Sequence, residues 1–504
     1  MKELSLLLSS LDRYELFGDN SGVVKDIQDD STKVSEGSMF VAKRGVRVDS
    51  HRFISQAVRS GASVIVGEKP PTEFDLASDC LIYVKVKDSR EALGRLASAF
   101  YDYPSENLVV IGVTGTDGKT TTANGIYFLL NGVGIETGLI STVGVRIGEH
   151  LYDTGRLTTP AVLDVQKFLA EMVQYGCKYV VLETSSHALD QGRVAGVKFR
   201  FGVLTNITPH EHIDYHGSMK DYMAAKAKLF KNIDVAVLNR DDESFDYMSQ
   251  VVGQGCRIVS YSLSPTSISD YYVNAISRKN RSMNLRIRGE GGVFDSTVKL
   301  FGEHNAANVL AAVATVRQLG VPWDAIISSL PELPLPKGRL QRVENNKGFE
   351  IYIDYAHTPN GLENVLKALG KEKGKHKLIV ITGAEGERDV AKRAMMGEIA
   401  AKFSNLSILT SVDPGNEDER KIIKDISTGI RRVNNKNHTS YEISDRGEAI
   451  SFAIQNLARQ GDIVVICGKG HEKYIDYNGV DYLWSDEEAV KTALDGGVFR
   501  IKRG

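Results

Sequence analysis

Residues 108–122 read LVVIGVTGTDGKTTT, a short apolar run followed by a glycine-rich turn and a row of threonines. The apolar run predicts a buried strand, and the residues from about 120 to 131 predict a helix behind it. Glycines at such a turn let backbone N–H groups approach phosphate oxygens, and the start of the helix adds partial positive charge. Lys119 would reach the terminal phosphates. The predicted phosphate-binding residues are Gly115, Thr116, Asp117, Gly118, Lys119, Thr120 and Thr121.

The glycine spacing of this loop departs from the common GxxxxGK[ST] pattern, because the glycines stand at 112, 115 and 118. A plain glycine-rich turn after a strand is therefore the alternative interpretation. The strand before the loop and the helix behind it favour a phosphate loop, in which Thr120 or Thr121 can hold Mg²⁺.

Similar apolar runs recur along the chain and end in Gly, Thr, Asn or Ser. They include YVVLET (179–184), FGVLTNI (201–207), VAVLN (235–239), KLIVITG (377–383), LSILTS (406–411) and DIVVICG (462–468). Such runs are typical of parallel strands with loops at their carboxyl ends, and amphipathic segments such as 305–320 supply the helices. The sequence therefore predicts an α/β fold with a central parallel sheet of the P-loop type.

Two turn-rich segments divide the 504 residues into three parts, as expected at about 150 residues per domain. The first part ends at YDYPSENL (101–108), near residue 105, and the second segment, PELPLPKGR (331–339), contains three of the twelve prolines. The predicted domains are residues 1–105, 106–336 and 337–504.

The composition excludes several classes of protein. A formal net charge of −2 argues against a nucleic-acid binder, and 42% hydrophobic with 25% charged residues is ordinary for a globular protein. No stretch reaches the roughly 18 apolar residues of a membrane span, and the N-terminus lacks a secretory signal. We therefore expect a cytoplasmic protein with no membrane insertion and no nucleic-acid partner.

Two segments at predicted strand ends carry candidate metal ligands. Glu183 opens ETSSHALDQGRV (183–194), and a carboxylate beside a phosphate loop suits Mg²⁺; a buried capping glutamate is the alternative. TNITPHEHIDYHG (205–217) contains His210, His212 and His216. Spacing alone leaves a zinc site and a solvated strand face both open. On the following predicted helix, Lys226 and Lys228 are interpreted from the residues alone as surface charges.

The loop GxTGTxGKTT, the segment HIDYHG and the helix AAKAKLF together resemble the Mur ligases, ATP-dependent amide-forming enzymes of cell-wall precursor synthesis. Folylpolyglutamate synthases share a related loop. The resemblance runs from about residue 25 to the chain end. It implies a UDP-sugar-binding first domain, a central ATP-binding domain and a Rossmann-like C-terminal domain that binds the amino acid and completes ligation.

The resemblance also implies a catalytic set. His212 matches a histidine that contacts magnesium, and the lysine matching Lys226 is carbamylated in the family, which converts its ammonium into an oxygen ligand. The implied catalytic residues are Lys119, Glu183, His212 and Lys226, and the implied metal ligands are Thr120, Glu183, His212 and Lys226.

Further family segments imply substrate contacts. EHNAANVLAA (303–312), KGRLQRV (337–343) and IDYAHTPNGLENVL (353–366) imply that Asn305, Arg339 and Asp354 lie around the adenine, γ-phosphate and ribose, with His357 beside them. Residues 29–62 resemble the uridine-binding domain of the members that add the third amino acid, with Ser31 at the uracil nucleotide. The implied ligands of the dipeptide are Thr158, Thr159, Ser185, Gln191 and Arg193.

For the incoming amino acid, the resemblance implies Arg388, Asp413, Gly468 and Glu472. The diaminopimelate adders of the family carry DNPR, in which the arginine grips the far carboxylate; here VDPG places Gly415 at that position. Acidic residues nearby favour an ammonium, so we expect lysine to be preferred over diaminopimelate. The alternative is that they form a solvated loop while Arg388 does the gripping. The acids concerned are Glu385, Glu387, Asp413, Glu417 and Asp418.

The implied partners are UDP-MurNAc-L-Ala-D-Glu and an amino acid, with ATP and Mg²⁺ as cofactors and a monomeric enzyme. Two alternatives stay open at this point. One is another amide ligase of the superfamily, such as a folylpolyglutamate synthase. The other is a nucleotide-dependent kinase or binding module that uses the loop without ligation.

Overall fold

Three separate β-sheets, one in each third of the sequence, define the architecture. The structure is a computed structural model of the chain that describes residues 1–45, 48–74, 81–209, 211–279, 281–300 and 302–501. The largest sheets have five, eleven and six strands, drawn from residues 15–85, 109–298 and 341–467 respectively. The boundaries that the sequence predicts near residues 105 and 336 fall between these sheets, and they stay predictions.

The first third contains a small sheet with helices packed against it. Its strands are β1 (Lys2–Glu3), β2 (Glu15–Phe17), β3 (Val23–Val24), β4 (Asp26–Gln28), β5 (Ser38–Val41), β6 (Ala62–Gly67) and β7 (Ile82–Lys85). Its helices are α1 (Leu4–Leu8), α2 (Ile54–Arg59) and α3 (Ser89–Phe100). The sheet order is β2-β7-β6-β5-β4, parallel except for β2 at the edge.

The middle third contains the sheet that carries the glycine-rich loop. Its strands are β8 (Val109–Thr114), β9 (Thr137–Ser141), β10 (Gly144–Ile147), β11 (His150–Tyr152), β12 (Tyr179–Glu183), β13 (Phe199–Leu204), β14 (Val235–Asn239), β15 (Arg257–Ser262), β16 (Tyr271–Lys279), β17 (Ser282–Gly289) and β18 (Gly292–Val298). Its helices are α4 (Lys119–Asn131), α5 (Val162–Tyr175), α6 (Ser186–Asp190), α7 (Ile213–His216), α8 (Met219–Ala227), α9 (Phe245–Val251), α10 (Glu303–Gln318) and α11 (Trp323–Ser329).

This central sheet is mixed, whereas the sequence predicts a parallel one. Its order is β11-β10-β9-β12-β8-β13-β14-β15-β16-β17-β18. The seven adjacent strands β9-β12-β8-β13-β14-β15-β16 of this order run parallel. Antiparallel hairpins extend both edges, with turns at Gly148 and Gly291 whose φ angles of 54° and 94° suit glycine. Side chains of β17 alternate between buried and exposed, so this strand reads as half-solvated rather than as an apolar run.

The last third forms a second parallel sheet. Its strands are β19 (Gln341–Val343), β20 (Glu350–Asp354), β21 (Leu378–Thr382), β22 (Leu406–Leu409), β23 (Thr439–Glu442), β24 (Ile463–Cys467), β25 (Tyr474–Tyr477) and β26 (Val480–Leu483). Its helices are α12 (Pro359–Glu372), α13 (Ala391–Phe403), α14 (Glu419–Val433), α15 (Arg446–Phe452) and α16 (Asp486–Leu494). The order β19-β20-β24-β21-β22-β23 is parallel except for β19, and β25 pairs with β26.

The predicted α/β class is confirmed, and the parallel strands place the loops that matter at one edge. Ile111 and Val113 of β8 are fully buried in a core shared with α4 and α10, so the loop behind β8 has a rigid base. Ligands of open parallel sheets bind at the carboxyl ends of the strands, which is where residues 115–118 and Glu183 lie. Within the described ranges, no helix has the length and apolar character needed to cross a membrane.

Candidate active site

The phosphate loop is held by glycines that no other residue could replace. Gly115 and Gly118 have φ angles of 152° and 82°, and α4 begins directly afterwards at Lys119. A Cβ atom at Gly115 would lie 1.8 Å from Thr205 Oγ1, and one at Gly118 would lie 2.2 Å from Asn308 Oδ1. Both close approaches exclude a side chain, so the loop conformation depends on these two positions.

The Lys119 side chain folds back over this loop. Its ammonium donates hydrogen bonds to the carbonyl oxygens of Gly115 at 3.1 Å and Thr116 at 2.8 Å. Burial lowers the pKa of Lys119, while the negative charges of Glu183 and Asp117 act in the opposite direction. The ammonium therefore lies inside the loop, at the place from which it can meet phosphate oxygens.

Glu183 lies at the end of β12, fully buried beside the start of α4. Its Oε2 atom accepts hydrogen bonds from Thr142 Oγ1 at 2.8 Å and Thr120 Oγ1 at 3.2 Å. Arg339 from the C-terminal third donates to the same Thr120 hydroxyl at 3.1 Å. Burial raises the pKa of Glu183, and Lys119 opposes this rise. A buried carboxylate with two hydroxyls around it is a set of hard oxygen donors that fits Mg²⁺.

Lys226 is buried on α8. It is therefore not the exposed surface charge that the sequence alone suggests for a lysine on a helix. It is 1% exposed, its Nζ donates to the Gly115 carbonyl at 2.7 Å, and it lies 4.6 Å from the centre of the Tyr222 ring. Burial, with Lys119 adding to it, lowers the pKa of Lys226 well below its ordinary value. Burial therefore favours the neutral amine, which is the form that reacts as a nucleophile.

The histidine-rich segment forms a turn of helix and not a strand. His212 has a φ angle of 57° and precedes α7, and its ring lies 4.9 Å from His187 and 5.8 Å from Tyr222 between ring centres. Burial lowers the pKa of His212, so the imidazole is neutral and able to act as a ligand. His210 lies outside the described residues.

The four predicted metal ligands fall into two groups. Thr120 contacts Glu183, whereas His212 and Lys226 lie around Tyr222 on the other side of the loop. In the part of the chain that the structure describes, no three His, Cys, Asp or Glu side chains form a metal cluster. The zinc interpretation of the histidines therefore finds no support there. Mg²⁺ commonly uses one or two carboxylates together with substrate phosphates, which agrees with the Glu183 group.

A cavity of about 760 Å³ lies between the middle and C-terminal thirds. The predicted site residues that line it are Thr116, Asp117, Gly118, Lys119, Thr120, Thr121, Thr158, Ser185, Arg193, His212, Asn305, Arg339, Asp354, His357, Arg388, Asp413 and Glu472. The predicted residues outside its lining are Ser31, Gly115, Thr159, Glu183, Gln191, Lys226 and Gly468. Of these, Glu183 and Lys226 contact the loop directly, through the Thr120 hydroxyl and the Gly115 carbonyl respectively.

The predicted dipeptide ligands form one hydrogen-bonded network at the mouth of α6. Arg193 donates to Gln191 Oε1 at 3.0 Å and to the Thr159 carbonyl at 3.1 Å, while Thr159 Oγ1 accepts from the Ser185 amide at 3.1 Å. Ser31 lies apart, in the first third, where its hydroxyl is 3.4 Å from Gln56 Oε1. The structure thus brings four of the five predicted dipeptide ligands together, and the fifth, Thr158, lines the cavity. Ser31, the predicted contact of the uracil nucleotide, lies in the first third of the chain.

The predicted nucleotide ligands lie where the two larger domains meet. Asp117 of the loop accepts hydrogen bonds from Asn360 at 2.7 Å and Thr358 at 3.1 Å, both from the C-terminal third. Asp354 uses both carboxylate oxygens on the backbone amides of Leu340 and Ala356, at 2.7 and 2.8 Å. Asp354 therefore holds the loop beside Arg339 in place, in addition to lining the cavity.

Asn305 and His357 complete this side of the cavity. Asn305 is 3% exposed, and its Oδ1 accepts a hydrogen bond from Asn308 at 3.3 Å. The Nδ1 atom of His357 is 2.9 Å from the Tyr355 carbonyl oxygen, and burial lowers its pKa. Both side chains are therefore held by neighbours as well as lining the cavity.

Two of the predicted amino-acid ligands, Asp413 and Glu472, contact a buried lysine. Lys469 is 2.6 Å from Asp413 Oδ2 and forms a close ion pair with Glu472. Burial raises the pKa of Asp413 to about 6, although Lys469 opposes this. Gly468 lies behind them with a φ angle of 112°, where its amide donates to the Asp354 carbonyl at 3.1 Å.

The acidic residues of the VDPG segment are less free than the sequence predicts. Glu417 forms an ion pair with the buried Arg393 at 2.6 Å, and Asp418 caps the start of α14. Arg388 lies 3.6 Å from Glu385. Part of the predicted acidic pocket is therefore occupied by internal pairs, and the expectation of a lysine preference rests on fewer charges.

Gly415 and Glu387 face each other at this part of the cavity. Both have positive φ angles, 57° and 53°, and a Cβ atom at Gly415 would lie 3.1 Å from Glu387 Oε2. Asn416 donates to the other oxygen of Glu387 at 3.2 Å. A carboxylate therefore lies next to Gly415, the position for which the resemblance implies an arginine in the diaminopimelate adders.

Several site residues escape the sequence reasoning. Thr142 lies in the turn between β9 and β10 and carries no motif, and Tyr222 reads as an ordinary core residue of a helix. Lys469 stands within GKGHEKY (468–474), so its place in the motif could have indicated it. The remaining missed residues are Asn308 and Tyr355.

The α/β architecture and the phosphate loop define a nucleotide-dependent enzyme, and comparison with known proteins narrows the class. The Mur ligase family, catalytic domain, matches residues 24–101; the Mur ligase middle domain matches 113–316; and the Mur ligase glutamate ligase domain matches 338–470. The UDP-N-acetylmuramoyl-L-alanyl-D-glutamate–2,6-diaminopimelate ligase of Cytophaga hutchinsonii is 39% identical over 92% of this chain and 93% of its own. The chain belongs to the Mur ligase family.

Solved structures agree with this assignment. A structure of a UDP-N-acetylmuramoyl-L-alanyl-D-glutamate–2,6-diaminopimelate ligase is 31% identical with a TM-score of 0.64, covering 94% of this chain and 95% of that one. The MurF ligase of Thermotoga maritima in complex with ADP shares the fold at 21% identity and a TM-score of 0.63, covering 94% and 97%. The predicted family resemblance is confirmed, and ATP use agrees with it.

Proposed function

We propose that the protein is an ATP-dependent ligase that joins an amino acid to UDP-MurNAc-L-Ala-D-Glu in peptidoglycan precursor synthesis. The observation that carries this proposal is a single cavity lined by both the phosphate loop and Arg388, Asp413 and Glu472 of the C-terminal domain. A kinase needs the loop and a phosphoryl acceptor, whereas a ligase also needs a site for an incoming amine beside them. The names of the relatives support the same substrate.

In the first step of the proposed reaction, the side-chain carboxylate of D-Glu attacks the γ-phosphorus of ATP, and ADP leaves with the bridging oxygen. Lys119 and Arg339 reach the phosphate region from opposite domains, and both would stabilise the charge on the transferring phosphoryl group. The product is an acyl phosphate, which makes the poorly reactive carboxylate into an acyl donor.

We assign Mg²⁺ to the phosphate side of the cavity. Glu183 and Thr120 would hold one ion through oxygen atoms, and His212 with a modified Lys226 would hold a second. Bound Mg²⁺ would offset the charge of the phosphates. Thr142 fixes the orientation of the Glu183 carboxylate through its hydroxyl and amide.

Lys226 is proposed to react with carbon dioxide to give a carbamate. The neutral amine adds to the carbon of CO₂ and one proton leaves, which replaces a neutral amine by an anion with two oxygens. The lowered pKa of Lys226 supports this, because only the unprotonated amine adds. Its position against the Gly115 carbonyl would direct the new oxygens toward the back of the phosphate loop.

In the second step, the α-ammonium of the bound amino acid loses a proton and the neutral amine attacks the acyl carbon. The amide bond forms as inorganic phosphate leaves with a second proton of the amine. Asp413 and Glu472 would hold the amino acid through its ammonium groups, and Arg388 would pair with a carboxylate. Contacts such as Asn360 to Asp117 close the two domains over the cavity and exclude water, which protects the acyl phosphate from hydrolysis.

The amino acid is proposed to be lysine or a similar diamine. Relatives are named for diaminopimelate, but this chain has Gly415 with the Glu387 carboxylate in front of it. A carboxylate attracts a side-chain ammonium and repels a second carboxylate. The ratio of kcat/KM for lysine and diaminopimelate tests this choice of amino acid. A preference for diaminopimelate of about tenfold, about 1.4 kcal/mol, would overturn the choice of lysine and leave the ligase proposal untouched.

ADP release tests the ligase proposal directly. With UDP-MurNAc-L-Ala-D-Glu present, we expect ADP release to depend on the added amino acid and to match the amide product seen by mass spectrometry. Equal ADP release without an amino acid and without an amide product would favour the kinase alternative. A folate substrate in place of the nucleotide tests the folylpolyglutamate synthase alternative. A cytoplasmic location and a monomeric state stay predictions.

A further inference from the structure

A buried ammonium group lies directly behind the proposed amino-acid ligands. The Lys469 side chain is 1% exposed, although lysine is rarely buried unless it is paired. Its Nζ atom is 2.6 Å from Asp413 Oδ2, and it forms a second close ion pair with Glu472. Both carboxylates line the cavity, whereas Lys469 is not among the described residues of its lining. Lys469 therefore contacts the acids from the side opposite the substrate.

Each acid also has a second contact that fixes its free oxygen. Asp413 Oδ1 accepts a hydrogen bond from the Asp476 amide at 2.7 Å, and Glu472 Oε1 accepts one from the Tyr355 hydroxyl at 3.0 Å. Asp413 follows β22, and Glu472 follows β24, so the two acids stand on different loops. Lys469 joins these loops through one group.

The charges of this cluster explain why the ammonium matters. Two carboxylates in a buried region repel each other, and burial raises the Asp413 pKa to about 6 while Lys469 opposes that rise. Removing one member of a buried ion pair leaves an uncompensated charge, so the remaining acids would separate or take up a proton. Either change would spoil a receptor made of two fixed negative groups.

We infer that Lys469 is a positioning residue that holds the Asp413 and Glu472 carboxylates together as one receptor for the ammonium groups of the incoming amino acid. The inference rests on the proposed ligase function. Lys469 acts through the two acids and touches no substrate itself. It therefore governs how tightly the amino acid binds. We expect little effect on KM for ATP, because Asp413 and Glu472, the ion-pair partners of Lys469, are not among the residues predicted to bind ATP.

The test is the Lys469→Met variant of the full chain, assayed for amide formation with ATP, UDP-MurNAc-L-Ala-D-Glu, and lysine or diaminopimelate. We expect KM for the better amino acid to rise about 10-fold or more, as when other supporting contacts are lost, while KM for ATP changes less than about twofold. Lys469→Arg, which keeps the charge, should recover part of the loss. Lys491→Met is the matched control, since Lys491 pairs with Glu487 on an exposed helix face.

An equal rise in every KM, or a fall in kcat alone, would overturn the inference. If Lys469→Met fails to fold, Lys469→Arg combined with Asp413→Asn replaces it. The double variant should then lose less than the product of the two single losses, because both changes act on the same receptor. Independent losses would contradict the inference. A wild-type chain that forms no amide refutes the ligase proposal and this inference together. If the wild type is active but the Lys469 variant raises KM for ATP as much as KM for the amino acid, only the inference is refuted.

Discussion

The phosphate loop and the proposed amino-acid receptor line one cavity, but they are built in different ways. The loop consists of consecutive residues between one strand and one helix, and its shape depends on Gly115 and Gly118. The receptor is assembled from loops behind β22 and β24 that the buried Lys469 joins. A local motif is fixed by backbone geometry, whereas an assembled receptor depends on the partners of its charges. The two sites should therefore fail differently when residues are changed.

The largest effect is expected at the loop. Lys119→Ala should reduce turnover at least ~100-fold, the scale for loss of a preorganised electrostatic contact. Folding should be preserved, because the Lys119 ammonium contacts two backbone carbonyls that other groups can solvate. ADP release and thermal unfolding are the measurements. Lys167→Ala, at an exposed helix position, is the control, and near-normal turnover of Lys119→Ala would refute the loop assignment.

Lys226 should be nearly as sensitive, and its sensitivity should depend on carbon dioxide. Lys226→Ala should lose most activity, about 10–100-fold, and short-chain carboxylates should restore part of it. Removal of dissolved CO₂ should lower wild-type activity, and bicarbonate should restore it, because the lowered pKa leaves the amine free to react.

Carbon-13 NMR with labelled bicarbonate detects a carbamate without exposure to acid. The matched control is Lys228→Ala, two residues further on, where an exposed side chain pairs with Asp190. Full activity of a Lys226 side chain that remains a plain ammonium would contradict the proposal.

The contrast between the sites also explains what the sequence could predict. The α/β class and the phosphate loop follow from apolar runs and glycines, which act over a few neighbouring residues. The antiparallel edges of the central sheet escaped because β17 alternates in burial and resembles a surface strand. Thr142 contacts Glu183 only because β9 and β12, which are distant in sequence, pair in the sheet. No local sequence pattern therefore predicts this contact.

Charge patterns were less informative than backbone patterns. The acids around Gly415 read as one negative pocket, yet Glu417 and Asp418 are engaged with Arg393 and a helix end. A sequence shows which charges are near each other along the chain, but it does not show which cation forms an ion pair with them in the folded structure. Lys469 stands more than fifty residues after Asp413, and folding alone brings them together.

A moderate effect is expected from pH at the assembled receptor. The pKa of Asp413 is raised by burial to about 6, so its carboxylate is present above this pH and is lost as the pH falls below it. Since the carboxylate would bind an ammonium, KM for the amino acid should rise as pH falls from 7 to 5, about tenfold per unit below the pKa at most. Lys469 and Glu472 are the charged groups that face Asp413.

Asp413→Asn should remove this pH dependence and raise KM at pH 7. KM for ATP serves as the internal control, since Asp413 is not among the residues predicted to bind ATP. An unchanged pH profile for KM in the variant would show that another group titrates.

The smallest effect is expected where the two sites meet. Asn360→Ala removes one of the two hydrogen bonds to the Asp117 carboxylate, and such a bond contributes about 0.5–1.5 kcal/mol. KM for ATP should rise only about 2- to 10-fold, with Thr358 keeping the second contact. A loss as large as that of Lys119→Ala would mean that the domain contact, rather than the loop, controls phosphate transfer.

The formation of an acyl phosphate is the central claim, and oxygen transfer tests it most directly. UDP-MurNAc-L-Ala-D-Glu labelled with oxygen-18 in the D-Glu side-chain carboxylate is converted with ATP and amino acid, and the released phosphate is examined by phosphorus-31 NMR. If the carboxylate attacks the γ-phosphorus, one labelled oxygen of each converted substrate appears in inorganic phosphate. Unlabelled phosphate, formed alongside the amide product, would contradict the acyl phosphate route.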